Sequence, residues 1–257
     1  MKKISAFIIA SALAVGAQAQ VVDTLTTGSL GAYTQTQVLT QSGNYLAFAS
    51  GANGLTVNGN ATSAEQNLLL RSDYSLTPGY ELTVNVANLV SSSFNADFGI
   101  VVASTATPIG AVWTSGTVST RSNYVAMYVK PGSSQIGAIA FDGTTQQYSS
   151  GGVNPTGGYA DITGLYISEP TAGTFDVGYI SSTAGTVQQQ AITFTGTQPG
   201  DTAIGTAIGF YADVRALSQS PAQLTDFTLQ PIPEPTSLAL FGLGLAGLGF
   251  VARRKSK

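Results

Sequence analysis

The feature that most restricts the fold of this chain is an alternation of apolar and polar side chains with a period of two residues. Residues 80–86 read Tyr-Glu-Leu-Thr-Val-Asn-Val, so every second side chain is apolar. Because successive side chains of a β-strand point to opposite faces, this pattern predicts a strand with one buried face. The sequence Thr77-Pro78-Gly79, directly before it, is typical of a turn.

Short runs of this kind recur along the chain at intervals of about ten residues, separated by Gly, Ser, Asn and Thr. The other predicted strands cover residues 44–49, 54–59, 98–103, 124–129, 135–141, 144–148, 175–179, 187–195, 207–214 and 223–229. The nearest approach to a helical pattern is residues 63–70, where Ser63 could cap one or two turns. The pattern predicts an all-β fold, an antiparallel β-sandwich over residues 20–230.

The N-terminus is typical of a secretory signal peptide. Two lysines follow Met1, residues 4–15 are almost entirely apolar, and Ala17-Gln18-Ala19 has the small residues of a cleavage site. We therefore expect residues 1–19 to be removed between Ala19 and Gln20. An N-terminal membrane anchor is the alternative, but the apolar run is short for a membrane span.

The C-terminus predicts a second targeting element. Residues 237–252 carry no charge, and as a helix these 16 residues would be about 24 Å long. That length also suits a buried core helix, but the flanks favour a transmembrane helix. Prolines 231, 233 and 235 end any preceding element, and the basic residues Arg253, Arg254 and Lys255 favour a cytoplasmic end.

The order Pro233-Glu234-Pro235, apolar helix 237–252 and basic tail 253–257 resembles a PEP-CTERM sorting signal, here over residues 231–257. The resemblance implies recognition by an exosortase-type membrane protease in a Gram-negative bacterium that makes exopolysaccharide. It further implies export through the Sec machinery, anchoring in the inner membrane during transit, and delivery to the cell surface or extracellular matrix. A plain tail anchor with a proline stop is the alternative.

Two stretches of the main domain resemble a concanavalin-like or jelly-roll β-sandwich. One is Asn67-Leu-Leu-Leu-Arg-Ser-Asp-Tyr, which precedes the alternating strand, and the other is the late pair 208–212 and 224–229. This resemblance implies an all-β antiparallel sandwich, and the apolar segment 237–252 adds one C-terminal transmembrane helix.

Composition excludes several kinds of chemistry. Residues 20–232 hold four basic and twelve acidic residues, a net charge of −8, so nucleic acid is not an expected partner. The chain has no His and no Cys, which removes Ser-His-Asp and Cys-His catalysis and the usual zinc sites. Glycoside hydrolysis by two carboxylates remains possible, but Glu65, Glu81 and Glu169 are each isolated in sequence. We therefore predict no catalytic residues.

Binding residues are harder to predict. We expect most of the aspartates to lie in turns or at the ends of strands. Calcium, which binds clustered carboxylates and carbonyls, has weak candidates at Asn95-Ala-Asp97 and Asp142-Gly-Thr-Thr. Trp113, the only Trp, is the candidate platform for stacking on a sugar, although a Trp is more often a core residue. Tyrosines recur at positions 124, 128, 148, 159, 166, 179 and 211.

The sequence thus predicts an exported, non-enzymatic surface or matrix β-sandwich protein that contacts exopolysaccharide. The alternative is a glycoside hydrolase or lyase on a concanavalin-like fold.

Overall fold

The structure is a computed structural model. It describes residues 19–39, 48–60, 65–89, 96–104, 123–142, 145–150, 152–194, 204–214, 217–219 and 222–232. These residues form sixteen strands and two short 3-10 turns. The strands are β1 Gln20–Asp23, β2 Thr34–Leu39, β3 Phe48–Gly51, β4 Gly54–Asn60, β5 Glu65–Arg71, β6 Tyr80–Ala87, β7 Ala96–Ala103, β8 Tyr124–Lys130, β9 Gln135–Asp142, β10 Thr145–Ser149, β11 Ile162–Thr171, β12 Thr174–Ser181, β13 Gly185–Thr193, β14 Ala207–Val214, β15 Leu217–Gln219 and β16 Gln223–Pro231.

Two antiparallel sheets make up the fold. One has nine strands in the order β13-β12-β11-β6-β16-β4-β15, with β1 also paired to β16 and β3 to β4. The other has seven strands in the order β10-β9-β8-β7-β14-β5-β2. The predicted all-β antiparallel sandwich is confirmed, as are the strand at 80–86, which is β6, and the hairpin of β8 and β9.

The main core lies between the sheets, where the alternating apolar residues of both meet. Leu82 and Val84 of β6 and Ile167 of β11 contribute from the nine-stranded sheet, and Ile100 of β7 and Phe210 of β14 from the seven-stranded one. Burial of this apolar surface, at roughly 25 cal/mol per Å², is the main stabilising contribution in a chain without cysteine.

The outer face of the seven-stranded sheet, turned away from the core, carries a second apolar cluster. The side chains that alternate with the core residues form it: Leu68, Leu70, Val101, Ala103, Tyr124, Ala126, Tyr128, Ile139, Phe141, Ala207 and Tyr211. The central strands β7, β8 and β14 are therefore apolar on both faces, which explains why residues 98–103 read as a continuous apolar run in the sequence.

The possible helical turn at 63–70 is wrong for the part that the structure describes, because residues 65–71 form strand β5. This strand pairs with β14 on one side and β2 on the other, and Leu68, Leu69 and Leu70 are all buried. Leucine is a good helix former, but sheet pairing on both sides outweighs that preference.

Of the aspartates expected in turns or at strand ends, Asp97 and Asp213 lie one residue from a strand end, whereas Asp176 and Asp226 lie inside strands. Asp97 is in β7, Asp176 is in β12, and Asp213 is in β14, where it is buried. Asp226 lies within β16 at a register shift, with the positive φ of 52° that Asp tolerates better than most residues. Asp142, by contrast, is the last residue of β9, as a strand-end aspartate should be.

Candidate functional site

The candidate site is built on cross-strand rows of side chains on the outer face of the seven-stranded sheet. In one row, Tyr211 of β14 stands opposite Gly99 of β7, Gly99 opposite Tyr128 of β8, and Tyr128 opposite Gly137 of β9. The rings of Tyr128 and Tyr211 are 5.4 Å apart between centroids and inclined by 36°. This row places two aromatic rings side by side in the middle of the sheet, over strands that are far apart in sequence.

Glycine is required where the Tyr128 ring lies against β9. A Cβ atom at Gly137 would lie 2.4 Å from the ring, closer than side chains approach, so a larger residue would displace Tyr128. Burial raises the pKa of Tyr211, and the nearby Asp213 carboxylate raises it further. The Tyr211 hydroxyl therefore stays protonated at physiological pH, and its side chain is buried.

Next to the tyrosines, at the edge of the same face, lies a group of polar residues that we call the polar rim: Asp97, Lys130, Gln135 and Asn154. The Lys130 Nζ atom is 3.4 Å from Asp97 Oδ2, and these two side chains are 22% and 20% exposed. Lys130 and Gln135 are opposite each other in the β8–β9 hairpin. Gln135 Nε2 donates to Asn154 Oδ1 at 3.2 Å. The rim thus presents a carboxylate, an ammonium group and two amides to solvent.

Backbone packing holds the rim in place. Gly152 has a φ of +119°, and a Cβ atom there would lie 2.5 Å from Gln135 Oε1, so only glycine fits this loop. The following residue, Val153, exchanges two backbone hydrogen bonds with Ile136, at 3.0 and 2.8 Å. Asp213 stands directly opposite Asp97 in the register of β14 and β7. The site therefore also brings two carboxylates together on adjacent strands, which no sequence signal indicated.

A second charged group surrounds Arg71, and we call it the Arg71 cluster. The Arg71 guanidinium binds both carboxylate oxygens of Asp73, at 2.7 and 2.6 Å, and lies 3.6 Å from Asp23. It also donates to the Val22 carbonyl at 3.2 Å and lies against the Tyr33 and Tyr74 rings. The Asp73 side chain raises the pKa of Arg71. With its side chain only 8% exposed, Arg71 is a structural element that fastens β1 to β5.

Metal binding does not fit the described residues. No group of three His, Cys, Asp or Glu side chains comes together among them. Of the calcium candidates, Asp97 already has the Lys130 ammonium beside it, Asn95 lies outside the described residues, and so does the Asp142 side chain. Two carboxylates with an ammonium group between strands lack the all-oxygen cage that calcium requires.

Trp113, the candidate sugar platform, lies outside the described part of the chain. The targeting residues Pro233-Glu234-Pro235 and the basic residues 253–255 lie outside it as well. Ala19 and Gln20 are described and exposed, and Gln20 is the first residue of β1. Within the described residues no helix is long and apolar enough to cross a membrane, and the predicted span 237–252 is not among them.

Comparisons with known proteins support the predicted sorting signal and the predicted class of fold. Residues 231–255 match the PEP-CTERM protein-sorting motif, so the chain carries a sorting signal of exported proteins directed to the cell envelope or surface. No curated protein is significantly similar to the chain in sequence.

Among solved structures, the fold is similar to the exoplasmic/lumenal domain of VIP36 in its Ca2+/Man3GlcNAc-bound form. The TM-score is 0.51 at 10% identity, over 82% of this chain and 89% of that one. A legume lectin-like domain from Entamoeba histolytica (TM-score 0.45, 8% identity, 77% and 90% covered) and a protein of unknown function from Shewanella oneidensis MR-1 (TM-score 0.45, 15% identity, 85% and 87% covered) are also similar. The sandwich is thus lectin-like, and the expected concanavalin-like class is confirmed.

Proposed function

We propose that this chain is an exported, non-enzymatic carbohydrate-binding protein that contacts exopolysaccharide through the polar rim. Residues 1–19 direct it to the Sec machinery, and residues 237–252 anchor it in the inner membrane of a Gram-negative bacterium. An exosortase-type protease then reads Pro233-Glu234-Pro235 and separates the sandwich from its anchor, which releases it to the surface or matrix. The basic residues 253–255 stay in the cytoplasm.

The observation that carries the binding proposal is the polar rim beside the tyrosine row. Sugar hydroxyls both donate and accept hydrogen bonds, and the rim offers acceptors on Asp97 and donors on Lys130 and the amides within one surface. Charged partners make stronger hydrogen bonds than neutral ones, so the Asp97–Lys130 pair should contribute most. The VIP36 domain of similar fold was solved in a Ca2+/Man3GlcNAc-bound form, which supports a sugar as the ligand class.

Trp113 remains our candidate for a stacking platform. The proposal assigns no role to a metal ion.

Glycoside hydrolysis is the second candidate function, and the pairing of Asp97 with Asp213 favours it. Residues opposite each other on neighbouring strands have Cβ atoms about 5 Å apart, similar to the carboxyl separation of about 5–5.5 Å in retaining glycosidases. Against it, the Asp97 carboxylate is ion-paired with Lys130, and the Asp213 side chain is buried and thus out of reach of a polysaccharide. We therefore rank binding above hydrolysis.

Residues 20–232 contain every described strand, so this fragment is suitable for a binding experiment. We expect it to bind polysaccharide on a glycan array, and Asp97→Asn and Lys130→Gln each to weaken binding about tenfold, the loss of one charged hydrogen bond. Asp226→Asn, an exposed carboxylate on the other sheet, is the matched control and should bind normally. Turnover of a glycan that Asp97→Asn or Asp213→Asn abolishes would favour the hydrolase instead.

Sorting has its own test, since prolines 233 and 235 keep the motif extended, the form in which proteases bind substrates. We expect mass spectrometry of the surface-exposed protein to find a C-terminus near the motif in cells with the sorting enzyme. Pro233→Ala combined with Glu234→Gln should leave the uncut, membrane-held form with or without that enzyme. An intact Lys257 on the native surface protein would contradict the proposed processing.

A further inference from the structure

The folded part of the chain continues up to the sorting motif. Pro231, the last residue of β16, stands opposite Tyr80 in β6, and the next residue, Ile232, donates its N–H to the Gly79 carbonyl at 2.8 Å. The motif match itself begins at residue 231. No flexible spacer therefore separates the sandwich from Pro233.

Several chain segments meet where β16 finishes. β1 begins there, since Gln20 is opposite Leu229, and the turn before β6 lies there as well. β11 ends there too, because the Glu169 carbonyl accepts from Gly79 N–H at 2.7 Å and the β11–β12 turn follows. We call this the motif end of the sandwich, and its exposed residues are Gln20, Thr77, Pro78, Gly79, Pro170, Thr171 and Ala172.

None of these exposed residues has a charged side chain. The Glu169 side chain is buried and accepts the Gly173 N–H at 3.0 Å, and Glu81 accepts from Gln230 Nε2 at 3.0 Å. Burial raises the pKa of both carboxyls. Asp73, whose exposed carboxylate precedes the turn at 77–79 by four residues, is paired with Arg71 at 2.6 Å. Elsewhere the outer face of the nine-stranded sheet carries the carboxylates of Asp176 and Asp226.

The polar rim lies at the other end of the molecule. Ala103 of β7 accepts from Gly205 N–H, and Gly205 in turn accepts from Leu76 N–H, which places the end of β7 beside the turn at 77–79. Asp97 is six residues earlier in β7, about 20 Å away at ~3.3 Å per residue. The rim and the motif end are therefore at opposite ends of the sandwich.

From this arrangement we infer that, before cleavage, the sandwich stands with its motif end against the headgroup layer of the bilayer and its polar rim pointing away. The inference rests on the proposed transmembrane helix at 237–252. Five residue steps separate Ile232 from Ser237, a reach of at most about 18 Å. The headgroup region covers about 5–7 Å of that distance, so the motif end lies within about 12 Å of the headgroups. The motif end has no exposed acidic side chain and, once residues 1–19 are removed, carries the α-ammonium group of Gln20, so anionic lipid does not repel it as it repels the acidic side faces.

The absence of cysteine from the sequence allows a direct test with single-cysteine labels. Thr77→Cys and Ala172→Cys report on the motif end. Ala184→Cys, in the β12–β13 turn, and Ser133→Cys, in the β8–β9 turn beside the rim, are matched exposed controls at the far end. Each variant of residues 20–257, the chain expected after removal of the signal peptide, would carry a fluorophore in vesicles of phosphatidylethanolamine and phosphatidylglycerol that contain a headgroup-nitroxide quencher.

We expect quenching at 77 and 172 to exceed that at 133 and 184 at least threefold. A spacer of twelve Gly and Ser residues between Ile232 and Pro233 should reduce this difference, because it lengthens the segment that joins the sandwich to the transmembrane helix. Equal quenching at the four positions, or stronger quenching at 133 or 184, would overturn the inference. Vesicle flotation distinguishes failure of the proposed anchor from failure of the inferred orientation. A chain that fails to float contradicts the anchor, whereas a chain that floats without quenching at residues 77 and 172 contradicts only the orientation.

Discussion

The Arg71 cluster and the polar rim are both built around a basic residue next to carboxylates, yet they differ in how completely that residue is enclosed. Arg71 is 8% exposed, binds Asp73 through two hydrogen bonds and lies between two tyrosine rings. Lys130 is 22% exposed and lies 3.4 Å from Asp97. The enclosed cation therefore stabilises the fold, whereas the partly exposed one is the cation that we propose contacts a ligand.

Removing the enclosed cation should have the largest effect. Arg71→Met leaves the Asp23 carboxylate buried without its guanidinium, so we expect the free energy of unfolding to fall by about 3 kcal/mol. Urea unfolding of the 20–232 fragment measures this. A loss below about 1 kcal/mol would place Arg71 in the same class as surface ion pairs and remove the contrast with the rim.

A conservative change at the same position separates charge from shape. Arg71→Lys keeps the positive charge but cannot bind Asp73 with two parallel hydrogen bonds or stack flat on Tyr33 and Tyr74. We expect a loss of about 1–2 kcal/mol, between the native protein and Arg71→Met. Thermal or urea unfolding of the three proteins side by side checks the order, and an Arg71→Lys variant as stable as the native protein would show that charge alone matters.

The corresponding change at the rim should hardly affect folding. Lys130→Gln removes a partly exposed ion pair, so the free energy of unfolding should change by less than about 1 kcal/mol. Polysaccharide binding, measured by affinity electrophoresis, should nevertheless weaken. Strong destabilisation by Lys130→Gln would mean that the rim, like the Arg71 cluster, is a structural ion pair.

Acid titration gives the smallest expected effect. The hydrogen bond from Arg71 holds the pKa of Asp73 below its usual value, so this carboxylate contributes stability above its unfolded-state pKa and loses it as pH falls through the folded-state pKa. Asp73→Asn should therefore be less stable than the native protein at pH 7, by about 0.5 kcal/mol because Asp73 is exposed, and the difference should shrink below about pH 4. Urea unfolding at both pH values measures it, and a difference that grows in acid would reverse the assigned sign.

The sequence determined the class of fold and the targeting of this protein. The period-2 alternation of residues 80–86 and the hairpin at 124–141 are local patterns, and local patterns specify strands and turns. The sorting motif at 231–255 is equally local, since its order of proline, apolar and basic residues needs no tertiary contact to be recognised.

Sequence reasoning was weaker wherever pairing decided the outcome. Strand β11 was not predicted, although it is ten residues long, because its apolar residues 165–167 are flanked by polar ones and its strand character comes from pairing with β6 and β12. Strand β5 was mistaken in part for a helical turn for the same reason. Pairing between strands distant in sequence depends on what the rest of the chain offers.

The candidate site itself was decided only by the tertiary structure. Asp97, Lys130 and Asp213 are spread over more than a hundred residues, and none belongs to a motif. Sheet register brings them together, because β7 lies between β8 and β14 and the alternation along each strand turns all three side chains to the same outer face. Local sequence can indicate which face of a strand a residue occupies, but only the order of strands in the sheet determines its neighbours.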